Sequence, residues 1–448
     1  MQTQWMKQSI GVRVLIIAFL IVVLLIPSAM IRSLIQERQL RRDEAVLEVS
    51  QKWGQPQTLT GPILSIPYTY STTDNEDVLH SYIAYAHFLP EDLIVEGELF
   101  PEIRKRGIYE VVLYGSSLKI EGFFLPTNIE DLKVPASDFL WTDAFISVGV
   151  SDMKGLKDQI AFQLNDQTIF AQSGLETRDV ISTGVTIPMD LLNPNEKLAF
   201  SFNLELNGSR GISFAPIGKE SQVTLRSAWS NPSFMGEFLP TDHTIDDAGF
   251  EASWKILHLN RNFPQKWTGG NHNVNQASFG VDLLVPVDEY QKNMRTAKYA
   301  FMFIGLTFLS FFMIELLNKK MIHPIQYLLI GFSLLVFYTL LLSFSEQMVF
   351  QYAYLISSIA TIGLITSYTR AVLKDMLQTG IILAILVVLY TYLYIVLQLQ
   401  DFALLIGSLG LFVILSLVMY LTRRIDWFST FQNQAGASEK GVPPMPPE

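Results

Sequence analysis

The chain has 448 residues, of which 49% are hydrophobic and only 17% are charged. Charged residues make up about 25% of an ordinary soluble protein, so this composition indicates a membrane protein. The chain has a net charge of −10 and no cysteine, which argues against nucleic-acid binding and excludes disulfides and thiolate metal sites.

The first apolar segment is residues 12–31, "VRVLIIAFLIVVLLIPSAMI". Its length of about 20 residues is enough to cross a bilayer. A signal peptide has a shorter apolar core, so we predict an uncleaved anchor. Residues 32–53 alternate in charge and predict a helix that leaves the membrane and ends at Gly54.

The central part of the chain is acidic and has the periodicity of β-strands. Residues 32–298 hold 35 acidic and 23 basic residues, a net charge of −12. Alternation in "KLAFSFNLELNG" (197–208) predicts a half-buried strand followed by a turn at Asn207-Gly208. Its predicted inward face is Leu198, Phe200, Phe202, Leu204 and Leu206.

Similar alternation surrounds Gly115 and the pair Asn165-Asp166. Many short strands with turn signals between them are typical of an antiparallel sandwich or a mixed β fold. We therefore predict a β-rich extracytoplasmic domain over residues 32–298.

Five more apolar segments of spanning length follow this domain, which gives six transmembrane helices in total. They are residues 299–317, 325–344, 348–368, 377–397 and 402–422. The resulting organisation is a cytoplasmic N-terminus (1–11), a transmembrane anchor (12–31), the β-rich domain (32–298), a five-helix bundle (299–422) and a disordered cytoplasmic tail (423–448).

Basic residues predict the orientation of the spans, because short loops rich in Lys and Arg stay in the cytoplasm. The loops after the third and fifth spans have no basic residue. Both termini are therefore predicted to be cytoplasmic and residues 32–298 periplasmic. The bases after the second, fourth and sixth spans are Lys319, Lys320, Arg370, Lys374, Arg423 and Arg424.

One carboxylate lies inside an apolar run, "FFMIELLNKKMIHPIQYLLI" (311–330). Glu315 precedes Lys319 by four residues, the favourable order for an exposed helical ion pair. The alternative role is a carboxylate of an ion pathway. No charged residue lies near the middle of any predicted span, which argues against ion-coupled transport.

No enzymatic motif is present in the sequence. A Walker A loop, a dinucleotide fingerprint and a G-x-S-x-G elbow are all missing. The acidic segment "TDHTIDD" (241–247) fits neither a zinc nor an EF-hand spacing. We expect no catalytic residue, no cofactor and no metal, and we expect the protein not to be an enzyme.

Two segments, 227–240 and 249–267, are rich in Trp, Phe, Pro and Asn. Aromatic residues are enriched at the centres of binding surfaces, so Trp229, Phe234 and Trp254 are candidate partner-binding residues. Packing in the core of the domain is the alternative explanation for all three.

Several long motifs resemble the CreD family of bacterial inner-membrane proteins, also called cell-envelope integrity or colicin-tolerance proteins. The motifs are "GPILSIPY" (61–68), "FLPEDLIVEGELFPEIRKRGIYEVVLY" (88–114), "SRGISFAPIGKE" (209–220), "SAWSNPSFMGEFLP" (227–240), "GFEASWKILHLNRNFPQ" (249–265), "FGVDLLVPVDEY" (279–290) and "HPIQYLLIGFSLLVFYTLLLSFSE" (323–346).

The resemblance implies an effector of the envelope-stress response, controlled by a sensor kinase and a response regulator. The resemblance assigns no catalytic residues to this chain. We expect the protein to maintain the envelope by binding an envelope protein or cell-wall component through the outer domain, with membrane lipids as its other partners. The alternatives are a transporter of a lipid or small molecule, a receptor, and an enzyme acting on wall or lipid.

Overall fold

A computed structural model describes residues 10–73, 77, 79–125, 129–191, 193–283, 289–318, 322–399 and 402–423. The chain divides into two compact units. The helix unit comprises Met1–Arg41 and Asp288–Glu448, and the β unit comprises Arg42–Val287. The β unit is shorter than the predicted segment 32–298, because residues 32–41 and 288–298 are grouped with the helix unit.

The first helix, α1, runs without interruption from Ile10 to Trp53 and contains Pro27. It confirms the predicted helical continuation beyond the apolar segment. The helix ends at Gly54, where φ is +154° and a Cβ atom would lie 2.5 Å from the carbonyl oxygen of Asn207. Only glycine has no Cβ atom, so this close approach accounts for the residue at the helix end.

Six further helices follow the β unit within the described residues. They are α2 (Glu289–Lys298), α3 (Ala300–Asn318), α4 (Pro324–Ser345), α5 (Phe350–Leu373), α6 (Met376–Gln398) and α7 (Ala403–Thr422). The start of α6 is capped by Asp375, whose carboxylate accepts hydrogen bonds from the backbone N–H groups of Leu377 and Gln378. Pro324 occupies the first turn of α4, where a missing N–H group has no cost.

The structure supports fewer clear membrane spans than the sequence predicted. Four of the described helices are long and apolar enough to cross a bilayer, namely α1, α4, α5 and α6. Helices α2 and α3 are bent by 44° and count as a fifth span only if taken together. The described apolar part of α7 is shorter, Leu405–Tyr420, so a total of six is not established by length and composition.

Nine strands of the β unit form one sheet. They are β1 (Gln57–Thr73), β2 (Leu79–Phe88), β5 (Phe145–Val150), β8 (Gln172–Ser173), β9 (Gly184–Pro188), β11 (Gly211–Phe214), β13 (Pro232–Gly236), β16 (Lys266–Thr268) and β17 (Phe279–Leu283). The main order is β13-β17-β11-β1-β5-β9-β8, and β2 pairs with both β1 and β16.

Eight strands form the second sheet. They are β3 (Asp92–Arg106), β4 (Tyr109–Phe124), β6 (Ala161–Leu164), β7 (Gln167–Phe170), β10 (Leu198–Ser209), β12 (Glu220–Ser227), β14 (Asp242–Asp246) and β15 (Gly249–Leu257). Their order in the sheet is β14-β15-β12-β3-β4-β10-β6-β7. Most pairs are antiparallel, but β1 with β11 and β3 with β12 are parallel. The fold is therefore a mixed β fold.

The two sheets share one hydrophobic core. Side chains from β1 and β5 of the first sheet join side chains from β3, β4 and β10 of the second sheet in a single buried cluster. All five residues predicted to face inward on β10 are buried. The predicted hairpin at Asn165-Asp166 is also present, between β6 and β7.

The turn predicted at Asn207-Gly208 is wrong. Strand β10 continues through Asn207-Gly208 to Ser209, and the chain turns instead at Arg210, where φ is +64°. Gly208 is needed for close packing, because a Cβ atom there would lie 2.3 Å from the ring of Tyr114. Gly115 lies in the middle of β4, opposite Asn207, so the alternation noted around it belongs to one continuous strand.

Candidate ligand-binding site

The β unit contains a polar cavity of about 620 Å³, which we call the amide pocket. Glu237 and Phe238 line it from one segment, the stretch 260–263 from a second and residues 271–277 from a third. The two aromatic-rich segments singled out in the sequence therefore meet at one place. Five of its lining side chains are amides, namely Asn260, Asn262, Asn271, Asn273 and Gln276.

Backbone pairing brings the first segment to the third. Strand β13 ends opposite the start of β17, with Gly236 paired to Phe279. At Gly236 φ is +93°, and a Cβ atom would lie 2.1 Å from the Ser278 carbonyl oxygen. The backbone N–H of Glu237 donates to that same carbonyl at 3.1 Å. This contact fixes Glu237 and Phe238 beside the 271–277 segment.

Trp254 lies in the core and holds the backbone of Phe238, a residue that lines the pocket. It lies on β15, has 2% of its surface exposed, and its indole Nε1–H donates to the Phe238 carbonyl oxygen at 3.2 Å. The prediction that Trp254 contacts a partner is therefore wrong. Alternation along "GFEASWKIL" could have shown this, because Phe250, Ala252, Trp254 and Ile256 are all buried.

Trp229 and Phe234 do not line the amide pocket. Both are half-buried and pack against the core. The Phe234 ring contacts Trp254 edge-on, with 5.7 Å between the ring centroids. The role of these two residues in partner binding stays a prediction.

Arg261 is the buried cation of the pocket. Its side chain is 7% exposed, and its terminal nitrogens donate to the carbonyl oxygens of Phe263 at 2.6 Å and Ile217 at 3.2 Å, with a third bond to the Gln265 amide. Burial lowers the pKa of the Arg261 guanidinium to about 10, so the group stays charged at neutral pH. Within the described part of the chain no carboxylate pairs with it.

The amide groups of the pocket are available to a ligand. Asn262, Asn271 and Gln276 are exposed and have no side-chain hydrogen bond within the described residues. Asn260 and Asn273 each use one side-chain oxygen to accept a backbone N–H, from Leu257 at 3.0 Å and from Asn275 at 3.2 Å. Every amide therefore offers at least a free NH₂ group, and three offer a free carbonyl oxygen as well.

Sequence reasoning missed most of this site. The stretch 271–276, "NHNVNQ", contains four amide residues among six and was the available signal. A density of amides alone does not distinguish a pocket from an exposed loop. The pairing of Gly236 with Phe279, 43 positions apart in the chain, is what places the loop beside Phe238.

A cluster of the buried Ser65 and His87 with the partly exposed Asp179 has the residue types of a hydrolase triad. The Ser65 hydroxyl lies 2.9 Å from His87 Nδ1, and Asp179 Oδ2 lies 3.4 Å from His87 Nε2. Ser65 and His87 are only 2% and 1% exposed, so a substrate cannot reach the hydroxyl. We interpret the cluster as part of the core.

The acidic segment 241–247 contains the whole edge strand β14, whose residues are all exposed. Among the described residues, no group of three or more His, Cys, Asp or Glu side chains is arranged to hold a metal ion. The amide pocket itself has one carboxylate, Glu237, and one imidazole, His272.

In the helix unit, Glu315 is buried, with 5% of its side chain exposed. It accepts hydrogen bonds from Arg13 of α1 at 3.1 Å and from the Tyr327 hydroxyl of α4 at 2.9 Å. Lys319, its predicted partner, lies outside the described residues. The expectation of an exposed Glu315 is wrong, because α1 and α4 both pack against this part of α3.

Comparison with known proteins gives two matches. The family model described as "Inner membrane protein CreD" matches residues 9–428. The protein named "Inner membrane protein CreD" of Escherichia coli (strain K12) is 35% identical over 421 residues, which cover 91% of this chain and 92% of that protein. The chain therefore belongs to the CreD family of inner membrane proteins.

Proposed function

We propose that the protein maintains the cell envelope under stress, and contributes to colicin tolerance, by binding an envelope component in the amide pocket. The observation that carries the proposal is the pocket itself, with its uncommitted amides and its buried Arg261. A cavity of about 300–1,000 Å³ with convergent polar groups is the usual form of a ligand site. The component is a constituent of the cell wall or another saccharide or protein of the envelope.

The proposal places the pocket on the periplasmic side of the inner membrane. In the proposed topology the chain has six spans and both termini in the cytoplasm. Its support is the sequence pattern, because basic residues alternate between successive short loops and such loops stay in the cytoplasm. The same orientation leaves the acidic β unit outside, where envelope components are accessible.

The proposed activity is binding without chemistry. Hydrolysis of a glycosidic bond generally uses two carboxylates that flank the bond, whereas the pocket has one carboxylate, Glu237, among its described lining residues. The proposal requires neither a metal nor a cofactor, and membrane lipids contact only the helix unit.

A transporter of a lipid or small molecule is the second candidate. Thr307 and Ser357 are buried in the helix unit, and their hydroxyl groups have no partner within the described residues. Unsatisfied polar groups inside a membrane bundle often mark a pathway. However, a crevice between Phe311, Ile330 and Tyr368 has no measurable volume for a water molecule, so the amide pocket is the better supported site.

The proposed function is tested by complementing a strain that lacks the chromosomal copy. The double variant Asn262→Ala/Asn271→Ala removes two exposed amides that make no internal hydrogen bond, so its stability should change by less than about 0.5 kcal/mol per site. Asn195→Ala, an exposed amide elsewhere in the β unit, is the matched control.

With equal amounts of each protein in the membrane, we expect the double variant to lose resistance to detergents and to colicin. The control should retain both. Full complementation by the double variant would show that the amide pocket does not carry the function.

A further inference from the structure

The lining of the amide pocket also indicates the chemical class of its ligand. A ligand of this site contacts several amides at once, and three of them, Asn262, Asn271 and Gln276, offer both donors and a free acceptor. A hydroxyl group is likewise both donor and acceptor. Neighbouring hydroxyls on a rigid ring are therefore the natural complement of the side chains of Asn262, Asn271 and Gln276.

Charged ligands fit the pocket less well. A phosphate or carboxylate needs accessible cationic donors, but the terminal nitrogens of Arg261 already donate to carbonyl groups. Its Nε atom has no hydrogen-bond partner within the described residues, but it is buried and offers no accessible surface to a ligand. Glu237 adds a negative charge at the same site. A cationic ligand is disfavoured in turn by the buried guanidinium, because like charges repel.

An acyl chain is excluded by the same lining, because burying free amides against hydrocarbon leaves them without hydrogen bonds. The pocket does offer a limited apolar surface. The ring of Phe238 is half-buried, and Phe263 packs under the Arg261 guanidinium at 4.1 Å. One aromatic face amid many amides suits the apolar face of a sugar ring.

We propose that the amide pocket binds a short, neutral oligosaccharide of the envelope. This proposal rests on the proposed function and names its ligand. A volume of about 620 Å³ exceeds the space needed for one sugar ring, so the ligand is a stretch of glycan. Two sources contain neutral sugar units of this kind, the N-acetylglucosamine units of the cell-wall glycan strands and the neutral hexoses in the outer saccharide of lipopolysaccharide.

The test measures saccharide binding by the full chain in nanodiscs, since sugar-headed detergents would compete for the pocket. The probes are chitotriose, glycan strands released from purified sacculi, and deacylated lipopolysaccharide, with maltotriose as a comparison. Saturation-transfer difference NMR detects the bound sugar, and a titration gives its affinity.

We expect saturable binding of a wall-derived or lipopolysaccharide-derived saccharide. Asn262→Ala/Asn271→Ala should weaken that binding by at least about tenfold, because two hydrogen bonds are lost. Asn195→Ala should leave the affinity unchanged. Comparison of the two natural probes identifies the source.

Absence of saturable binding by every saccharide probe overturns the proposal, and so does binding that the double variant leaves unchanged. The outcome for the proposed function is separate. If the double variant loses envelope resistance but the wild type binds no saccharide, the ligand class is wrong and the pocket's function stands. If saccharide binding is lost and resistance is kept, the proposed function fails.

Discussion

Replacing Trp254 by alanine should destabilise the β unit and disturb the amide pocket together. The indole is 2% exposed and contacts the rings of Phe234 and Phe279, with centroid distances of 5.7 and 5.5 Å. Truncating a buried tryptophan costs about 3–5 kcal/mol. For a domain of this size each kcal/mol lowers the Tm by about 2–4 °C, which gives a fall of about 6–20 °C.

Tryptophan fluorescence during heating is a suitable assay, because five of the seven tryptophans lie in the β unit. Trp254→Phe is the informative companion variant. It keeps most of the apolar contact but removes the hydrogen bond to the Phe238 carbonyl, a loss of about 0.5–1.5 kcal/mol in addition to the smaller ring. Phe234 is half-buried, so Phe234→Ala should lower the free energy of unfolding by less than Trp254→Ala does.

The reasoning would be refuted if Trp254→Ala kept the Tm of the wild type. That result would mean that Trp254 is not a core residue. A variant that keeps its Tm but loses envelope resistance would restore the earlier interpretation of Trp254 as a contact with a partner.

Two further predictions follow from single side chains, and a third follows from the distribution of basic residues along the chain. Glu315→Gln leaves the Arg13 guanidinium without a carboxylate and should lower the stability of the protein by about 1–3 kcal/mol. After heating, less of the variant should therefore stay monodisperse by size-exclusion chromatography, and an additional Arg13→Gln should recover part of the lost stability. Unchanged behaviour of the single variant would contradict the pairing. Burial lowers the pKa of His87 below its ordinary value of 6.5, so as the pH falls the unfolded state takes up a proton first, and the β unit should lose stability below about pH 6.5. The control variant His243→Gln, which removes an exposed histidine, should show the same loss of Tm as the wild type. A Tm that stays constant between pH 7 and pH 5 would contradict the prediction. Reporter fusions should give a periplasmic signal at two sites and a cytoplasmic signal at three, and one reversed site would contradict the six-span topology. The periplasmic sites are Glu346 and Asp401, and the cytoplasmic sites are Lys320, Lys374 and Arg424.

Local periodicity predicted the β unit well where one strand face is buried. The inward residues of β10 follow from strict alternation, because successive side chains in a strand point to opposite faces. The same rule applied to β15 identifies Trp254 as a core residue. Gly208 was mistaken for a turn, because glycine serves both tight turns and close packing, and only the neighbouring Tyr114 ring distinguishes them.

Contacts between distant parts of the chain could not be predicted in this way. Glu315 precedes Lys319 by one helical turn, but the partner that the structure shows is Arg13, 302 residues away. Tyr390, near the end of the predicted span 377–397, is only 3% exposed because its ring packs against Phe337 of another helix. Both cases depend on which helices pack together, and a single sequence does not contain that information.

The most direct test of the central claim is photo-crosslinking from inside the amide pocket in living cells. Gln276, which lines the pocket, is replaced by a benzophenone amino acid. The same replacement of Asn195, elsewhere in the β unit, is the control. We predict an adduct of an envelope component at position 276 that mass spectrometry identifies, and that Asn262→Ala/Asn271→Ala abolishes. Equal adducts at positions 276 and 195, or none at 276, would contradict the claim that the amide pocket binds an envelope component.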